Sequence, residues 1–299
     1  MLNFKVDKTK DCIIINTDEW IQNSENSLKR YKMSGRSIIT YLTEVVDKNI
    51  VSDKFKKADS VLEKGEIVLV SKVASEISRD RAFEIENNKY YNVPVMQVIG
   101  YFKSKDISLA NFNLLYDKIL VKKVELSDDS LLYHPVSMAM TGEVVKVGTN
   151  KFDLDWNSQP LTIKVGDKVL IKDNISTQIT LDGNDYYAVE ERGVVGVFNR
   201  DADMSSIKVI NDYVLLQEYI SDNLLGSDLL YTPLLDYEIL DETDIYNRNM
   251  FKVIQSDSSI QHLTVGDVIL ADRNVTEYAY LNQEKYFILN KGYADAKVR

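Results

Sequence analysis

Val165-Gly166-Asp167-Lys168-Val169-Leu170 sets a glycine and an acid directly before an apolar strand. Lys64-Gly65-Glu66-Ile67-Val68-Leu69 and Val265-Gly266-Asp267-Val268-Ile269-Leu270 repeat it, so the pattern recurs at a spacing of roughly 100 residues. A second anchor follows each instance: Asn88-Lys89-Tyr90-Tyr91-Asn92-Val93, Asn184-Asp185-Tyr186-Tyr187-Ala188-Val189 and Glu284-Lys285-Tyr286-Phe287-Ile288-Leu289. Each reads as a turn feeding a strand. The closing stretches are Val98-Ile99-Gly100-Tyr101-Phe102 and Val194-Val195-Gly196-Val197-Phe198, with a looser third at Gly292-Tyr293-Ala294.

Tyr116-Asp117-Lys118-Ile119-Leu120-Val121 pairs with Asn211-Asp212-Tyr213-Val214-Leu215-Leu216 as an opening strand, and Lys10-Asp11-Cys12-Ile13-Ile14-Ile15 is a weaker counterpart. These anchors divide the chain into three tandem units, 1–105, 111–199 and 206–299. The charged stretches near 103–111 and 199–206 lack apolar periodicity and read as short linkers. Each unit carries short β-branched runs broken by Gly, Asn or Asp every 8 to 12 residues or so, which predicts an all-β small barrel or sandwich. The one stretch that breaks the pattern is Asn23 to Tyr31, where a short helix is expected before a strand at Ile38 to Val46. Gly142 and Gly166 are both expected in turns, with the alternating valines after each packing one strand face.

Composition fits this class: 44% of the 299 residues are hydrophobic and 27% charged, near globular averages. No apolar run approaches the ~20 residues of a spanning helix, and Met1 to Cys12 lacks the apolar stretch of a secretory signal. A cytoplasmic protein without membrane partners is expected. The net charge of -10 argues against nucleic acid, which demands a basic face to displace counterions. Lys54, Lys56 and Lys57 read as solvated surface. Cys12 is the sole cysteine, so neither an intrachain disulfide nor a cysteine-based zinc site can form, and its apolar neighbours suggest a packed thiol in a strand.

Catalytic chemistry finds little support. His134 and His262 are the only histidines, and neither stands in a motif that would activate a nucleophile. Acid pairs such as Asp128-Asp129 and Asp241-Glu242 read as solvated loop charges. No phosphate loop, dinucleotide fingerprint or calcium loop occurs. The reading is of a non-enzyme with no catalytic residues, cofactor or metal.

Within 113–198 the succession Leu115 to Lys123, a polar loop, Thr141-Gly142-Glu143-Val144-Val145-Lys146-Val147-Gly148, Ile163 to Leu170, Leu181 to Tyr187 and Gly193 to Val197 resembles a co-chaperonin (GroES, chaperonin-10) subunit, element for element. The resemblance implies three GroES-like β-barrels, extended to the outer units by the internal repeat. It also implies a loop after the first strand whose short apolar motif docks on a chaperonin ring. The matching stretch, Ser127 to Met140, holds Leu131, Leu132, Tyr133 and Pro135, and the third unit repeats the motif as Leu229, Leu230, Tyr231 and Pro233 in an enlarged loop, 221–249. Leaving such side chains in water forgoes roughly 1.5–3 kcal/mol each. The triplets either dock on a partner or fold back on their own barrel or a neighbour.

The first unit has no such triplet, and Ser127 to Met140 contains no glycine where the family's loop is usually glycine-rich. The family closes into a ring of seven, which three barrels per chain do not divide. Six or nine barrels in a homo-oligomer are the natural closures. A second function class stays open: a structural subunit of a large assembly such as a bacteriophage particle, with virion proteins as partners. The apolar third loop and the 18 tyrosines suit such permanent interfaces.

Overall fold

Gly65, Gly166 and Gly266 adopt φ of 91°, 90° and 94°, the left-handed region that a glycine occupies without steric penalty. The computed structural model describes residues 12–16, 30–33, 36–49, 62–73, 82–104, 106–124, 139–152, 157–172, 175–199, 206–219, 248–272, 276–281, 284–293 and 296–298. Each glycine N–H donates to a carbonyl of a preceding strand, Val45, Val144 or Val253, at 2.8–2.9 Å, and the N–H of that valine donates back to the acid after the glycine. The acid's carboxylate then accepts from the backbone N–H three residues earlier, at Glu63, Lys164 and Thr264, each at 2.8 Å. One turn, closed by the same hydrogen bonds, is thus built three times.

The strands form three large antiparallel sheets. The first contains β1 (Cys12–Asn16), β2 (Arg30–Met33), β3 (Arg36–Asn49), β4 (Ile67–Val73), β5 (Ala82–Ile85), β6 (Asn88–Pro94), β7 (Val98–Phe102) and β8 (Phe112–Leu114), in the order β5-β6-β1-β3-β4-β7-β8, with β2 paired to β3. The second contains β9 (Lys118–Lys123), β10 (Ala139–Val147), β13 (Lys168–Lys172), β14 (Thr177–Leu181), β15 (Asn184–Glu190), β16 (Val194–Phe198) and β17 (Ile207–Val209), in the order β14-β15-β9-β10-β13-β16-β17. A separate ribbon pairs β11 (Lys151–Phe152) with β12 (Ser158–Gln159). The third contains β18 (Tyr213–Glu218), β19 (Arg248–Ser256), β20 (Val268–Asp272), β21 (Glu277–Leu281), β22 (Glu284–Asn290) and β23 (Ala296–Val298), in the order β21-β22-β18-β19-β20-β23. Over their first six places the three orders correspond, and the first two sheets add a seventh strand.

Shared detail extends to the hairpins and bulges. The β5–β6 and β14–β15 hairpins turn through two residues of positive φ, Glu86-Asn87 and Asp182-Gly183, as the twist of a tight hairpin requires. Register shifts fall between Leu69 and Val70 in β4 and between Leu170 and Ile171 in β13. A 3-10 turn, Val95–Gln97, Glu191–Gly193 or Lys291–Tyr293, precedes each of β7, β16 and β23.

Three expectations change. Gly142 lies buried inside β10, and only Gly166 turns the chain. Gly292 and Tyr293 sit in the 3-10 turn, while β23 closes the third sheet at Ala296–Val298, paired with β20. Arg30 and Tyr31, the end of the expected helix, belong to β2, which forms a hairpin with β3; Asn23 to Lys29 lie outside the described residues. The β-branched and aromatic content of Ile38 to Val46 extends the strand to both sides and recruits β2 as its partner. Cys12 does begin a strand, β1.

By proximity the chain groups into two units, Met1–Lys123 with Glu143–Asp167 and Asn174–Glu191, and Val124–Gly142 with Lys168–Asp173 and Arg192–Arg299. In the first, β4 buries both faces: Val68 and Val70 enter a core with Val45, Val93 and Val98, while Ile67 and Leu69 face a cluster with Ile99, Phe102, Phe112, Leu120, Ile179 and Tyr186. There the Phe102 and Phe112 rings lie 5.0 Å apart, and Lys146 Nζ donates to the Phe112 carbonyl at 2.7 Å. In the second unit β18 is divided the same way, Val214 and Leu216 packing with Phe251, Val253 and Phe287, and Leu215 with Leu170, Val195, Phe198, Ile207, Tyr286 and Ile288. Each fully buried aliphatic or aromatic side chain contributes about 1.5–3 kcal/mol.

Candidate functional site

Both apolar triplets lie in sequence between two strands that are neighbours in a sheet. β9 ends at Lys123 and β10 begins at Ala139; the Val124 N–H donates to the Thr141 carbonyl at 3.2 Å, and the Thr141 hydroxyl donates to the Val124 carbonyl at 3.2 Å. β18 ends at Glu218 and β19 begins at Arg248, with the Tyr219 N–H donating to the Met250 carbonyl at 2.9 Å. The two pairs of strand ends are therefore joined in the same way. Lys122, Lys123 and Glu218 are exposed there, and Tyr219 presents an exposed ring.

Leu131, Leu132, Tyr133 and Pro135, with His134, lie outside the described residues, as do Leu229, Leu230, Tyr231 and Pro233. In the first sheet the matching pair is β1 and β3, and β3 runs from Arg36 to Asn49, longer than β10 or β19. Part of the stretch between β1 and β3 is spent on the β2–β3 hairpin. His262 lies in an exposed turn.

Glu191 was not singled out by its sequence setting, yet it is the most enclosed carboxylate in this region, with 2% of its surface exposed. Its Oε1 accepts from the Thr162 N–H at 2.6 Å, the Thr162 hydroxyl at 2.7 Å and the Ile163 N–H at 3.1 Å, and Lys151 Nζ stands 2.6 Å from Oε2. Burial alone would raise its carboxyl, but the hydrogen bonds from Lys151, Thr162 and Ile163 outweigh that and hold it below the ordinary glutamate value. Glu191 ties the β11–β12 ribbon side of the segment to the 3-10 turn before β16. Adjacent acids at Glu190-Glu191 look like surface charge, and only the fold reveals the difference.

Gly148 fixes the other side of this segment. Its N–H donates to the Lys118 carbonyl at 2.7 Å, and a Cβ there would fall 1.9 Å from the Tyr116 carbonyl oxygen. Among the described residues no group of three or more His, Cys, Asp or Glu could hold a metal ion, and no helix is long and apolar enough to cross a membrane.

The described strand ends on either side of each triplet-bearing segment are joined by hydrogen bonds. Comparison with known proteins places this fold. The family model for the chaperonin 10 Kd subunit matches residues 111–198. Co-chaperonin GroES of Geotalea daltonii is 35% identical over 91 residues, covering 29% of this chain and 95% of that protein. The corresponding protein of Citrifermentans bemidjiense is 35% identical over 95 residues, 30% of this chain and 99% of its own length. That of Myxococcus xanthus is 33% identical over 91 residues, 29% and 95% respectively. Because residues 111–198 carry a match that spans nearly the full length of these relatives, the chain belongs to the chaperonin-10 (GroES) family of co-chaperonins.

Proposed function

We propose that the chain is three diverged copies of one co-chaperonin barrel, bounded at 1–105, 111–199 and 206–299, and that it acts without catalysis by docking apolar loops on a chaperonin ring. The full-length match of residues 111–198 to co-chaperonins carries the reading. The shared strand order, the thrice-built glycine turn and the two pairs of strand ends joined in the same way support extending it to the outer segments. Leu131, Leu132, Tyr133 and Pro135, and Leu229, Leu230, Tyr231 and Pro233, are the docking residues in this reading.

Clamping the loop ends lowers the entropic cost of offering the triplet to a partner, and lengthening a loop twofold adds only about 0.6 kcal/mol to closing it. The longer third loop is therefore tolerable to the frame. Purified chain mixed with chaperonin and ATP should form a complex isolable by size exclusion. Changing Leu131, Leu132, Leu229 and Leu230 to Ser should abolish it; a complex of undiminished affinity would sink the docking assignment.

One feature favours a second reading, a structural subunit of a large assembly such as a virus particle. Residues 221–249 carry Leu234, Leu235, Tyr237, Ile239, Leu240 and Tyr246 beyond the triplet, more apolar surface than a free docking loop needs. Recovery of the chain in stoichiometric amounts from purified particles would favour this reading over the first.

A further inference from the structure

The connection from β7 to β8 reads in sequence as a linker near 103–111, yet its later half is folded. The Asn111 and Phe112 N–H groups donate to the Ser108 carbonyl at 3.2 and 3.0 Å, which closes a turn. Asp106 secures that turn from within: its Oδ2 accepts from the Ser108 hydroxyl at 3.2 Å and from Asn111 Nδ2 at 2.6 Å. Asn113 Nδ2 donates to the Asn111 carbonyl at 2.8 Å.

Two side chains of the second sheet reach this turn from different elements. Lys146 of β10 donates from Nζ to the Ala110 carbonyl at 3.2 Å as well as to that of Phe112 at 2.7 Å. Asp182, at the β14–β15 hairpin, accepts the Leu109 N–H on Oδ2 at 2.9 Å. Ile107 and Leu109 pack partly buried against the cluster of Phe112, Leu120 and Ile179, as does Val145 beside Lys146. All of these residues belong to one of the two units into which the chain groups.

Apolar packing has no preferred direction, so the cluster alone would let the turn slide or lift. Hydrogen bonds to charged groups are directional and roughly twice as strong as neutral ones. Burial lowers the Lys146 amine below the ordinary lysine value, and the two carbonyls it reaches offset that cost. The lysine is also particular to this strand. Two residues after the valine that bonds the glycine turn, β3 has Asp47 and β19 has Gln255.

We infer that residues 106–112 form a fastened strap: Lys146 and Asp182 bind it to the second sheet from two sides, and this pair, more than the apolar cluster, keeps the β7–β8 connection closed. Its release opens the connection locally while both sheets persist, and Lys103, which is exposed, then becomes a site of cleavage. No triplet and no partner enters the strap, so it stands or falls apart from the docking reading.

Hydrogen exchange and limited trypsin digestion of the full chain test this. The variants are K146M, which keeps the aliphatic stem, and D182G, which removes the carboxylate at a residue of φ 51° that glycine adopts without strain. In the parent the Leu109, Asn111 and Phe112 amides should exchange slowly and the bond after Lys103 should resist trypsin. Each variant should speed exchange at these amides about tenfold, and the double variant more, with cleavage after Lys103. The Ala188 amide, in the paired strand β15, should stay slow in all of them. Fast exchange at the three amides of the parent overturns the inference, as do unchanged exchange and cleavage in K146M/D182G. Should Ala188 also speed up in the double variant, D182G alone decides: faster exchange at Leu109 with Ala188 still slow upholds the strap, and any other result overturns it.

Discussion

Gly148 and Glu191 hold one segment of the central region from two sides by different physics. At Gly148 the constraint is steric: a methyl would sit 1.9 Å from the Tyr116 carbonyl oxygen, so the backbone must shift. Gly148→Ala is expected to cost about 1–3 kcal/mol or more, measured by denaturant unfolding. At Glu191 the constraint is electrostatic. Its carboxyl is held below the ordinary value of 4.5, so its stabilising effect is fully present above that value and is lost as pH falls through the lower folded value. Glu191→Gln should therefore destabilise the protein by on the order of 1–3 kcal/mol at neutral pH. The gap from the parent should narrow below about pH 4.5; a gap that widens on acidification would contradict the role assigned to the carboxylate.

At the scale of elements, the glycine-acid turn was legible because its chemistry is local: a positive φ asks for glycine, and an acid three residues after an N–H caps the turn. Each of Gly65→Ala, Gly166→Ala and Gly266→Ala is expected to cost about 1–2 kcal/mol from backbone conformation, since Gly166 and Gly266 have no atom within 4 Å of a new Cβ. Thermal melting of the three single variants checks this. Gly142 was misread because a glycine-containing dipeptide looks the same in a turn and in a buried strand, and only neighbouring strands distinguish them. The third closing strand was displaced in the reading by the likeness of Gly292-Tyr293 to Gly196-Val197, while β23 is fixed by pairing with β20, a non-local fact. The Leu-Leu-Tyr-x-Pro motif was legible because it recurs, but the hydrogen-bonded strand ends that flank it arise only from the pairing of neighbouring strands. Replacing Leu131, Leu132, Leu229 and Leu230 by Ser is expected to leave the melting temperature within about 2 °C, because the proposed docking assigns these residues to a partner and not to the cores. A large drop would mean that the triplets pack against the protein itself.

At the scale of the molecule, one strand order serves the first six places of three sheets, and β8 and β17 lie in clusters in which Phe102 and Phe198 hold matching places. The three sheets differ in detail. The first carries the β2–β3 hairpin, the residues around the second match co-chaperonins over nearly their whole length, and the third keeps the hydrogen-bonded strand ends with more residues between them in sequence. Under the proposed function the chain engages a ring through two motifs. Weakening one triplet, by Leu131→Ser with Leu132→Ser, should lower chaperonin affinity without abolishing it, whereas substituting both triplets should abolish it, as two tethered contacts act together.

The most direct measurement is binding of the purified chain to purified chaperonin, followed by light scattering or size exclusion, with ATP and without nucleotide. A complex that forms with ATP and is lost when Leu131, Leu132, Leu229 and Leu230 are changed to Ser is the expected result. No complex under either condition, or one indifferent to those four substitutions, would contradict the function proposed for this chain.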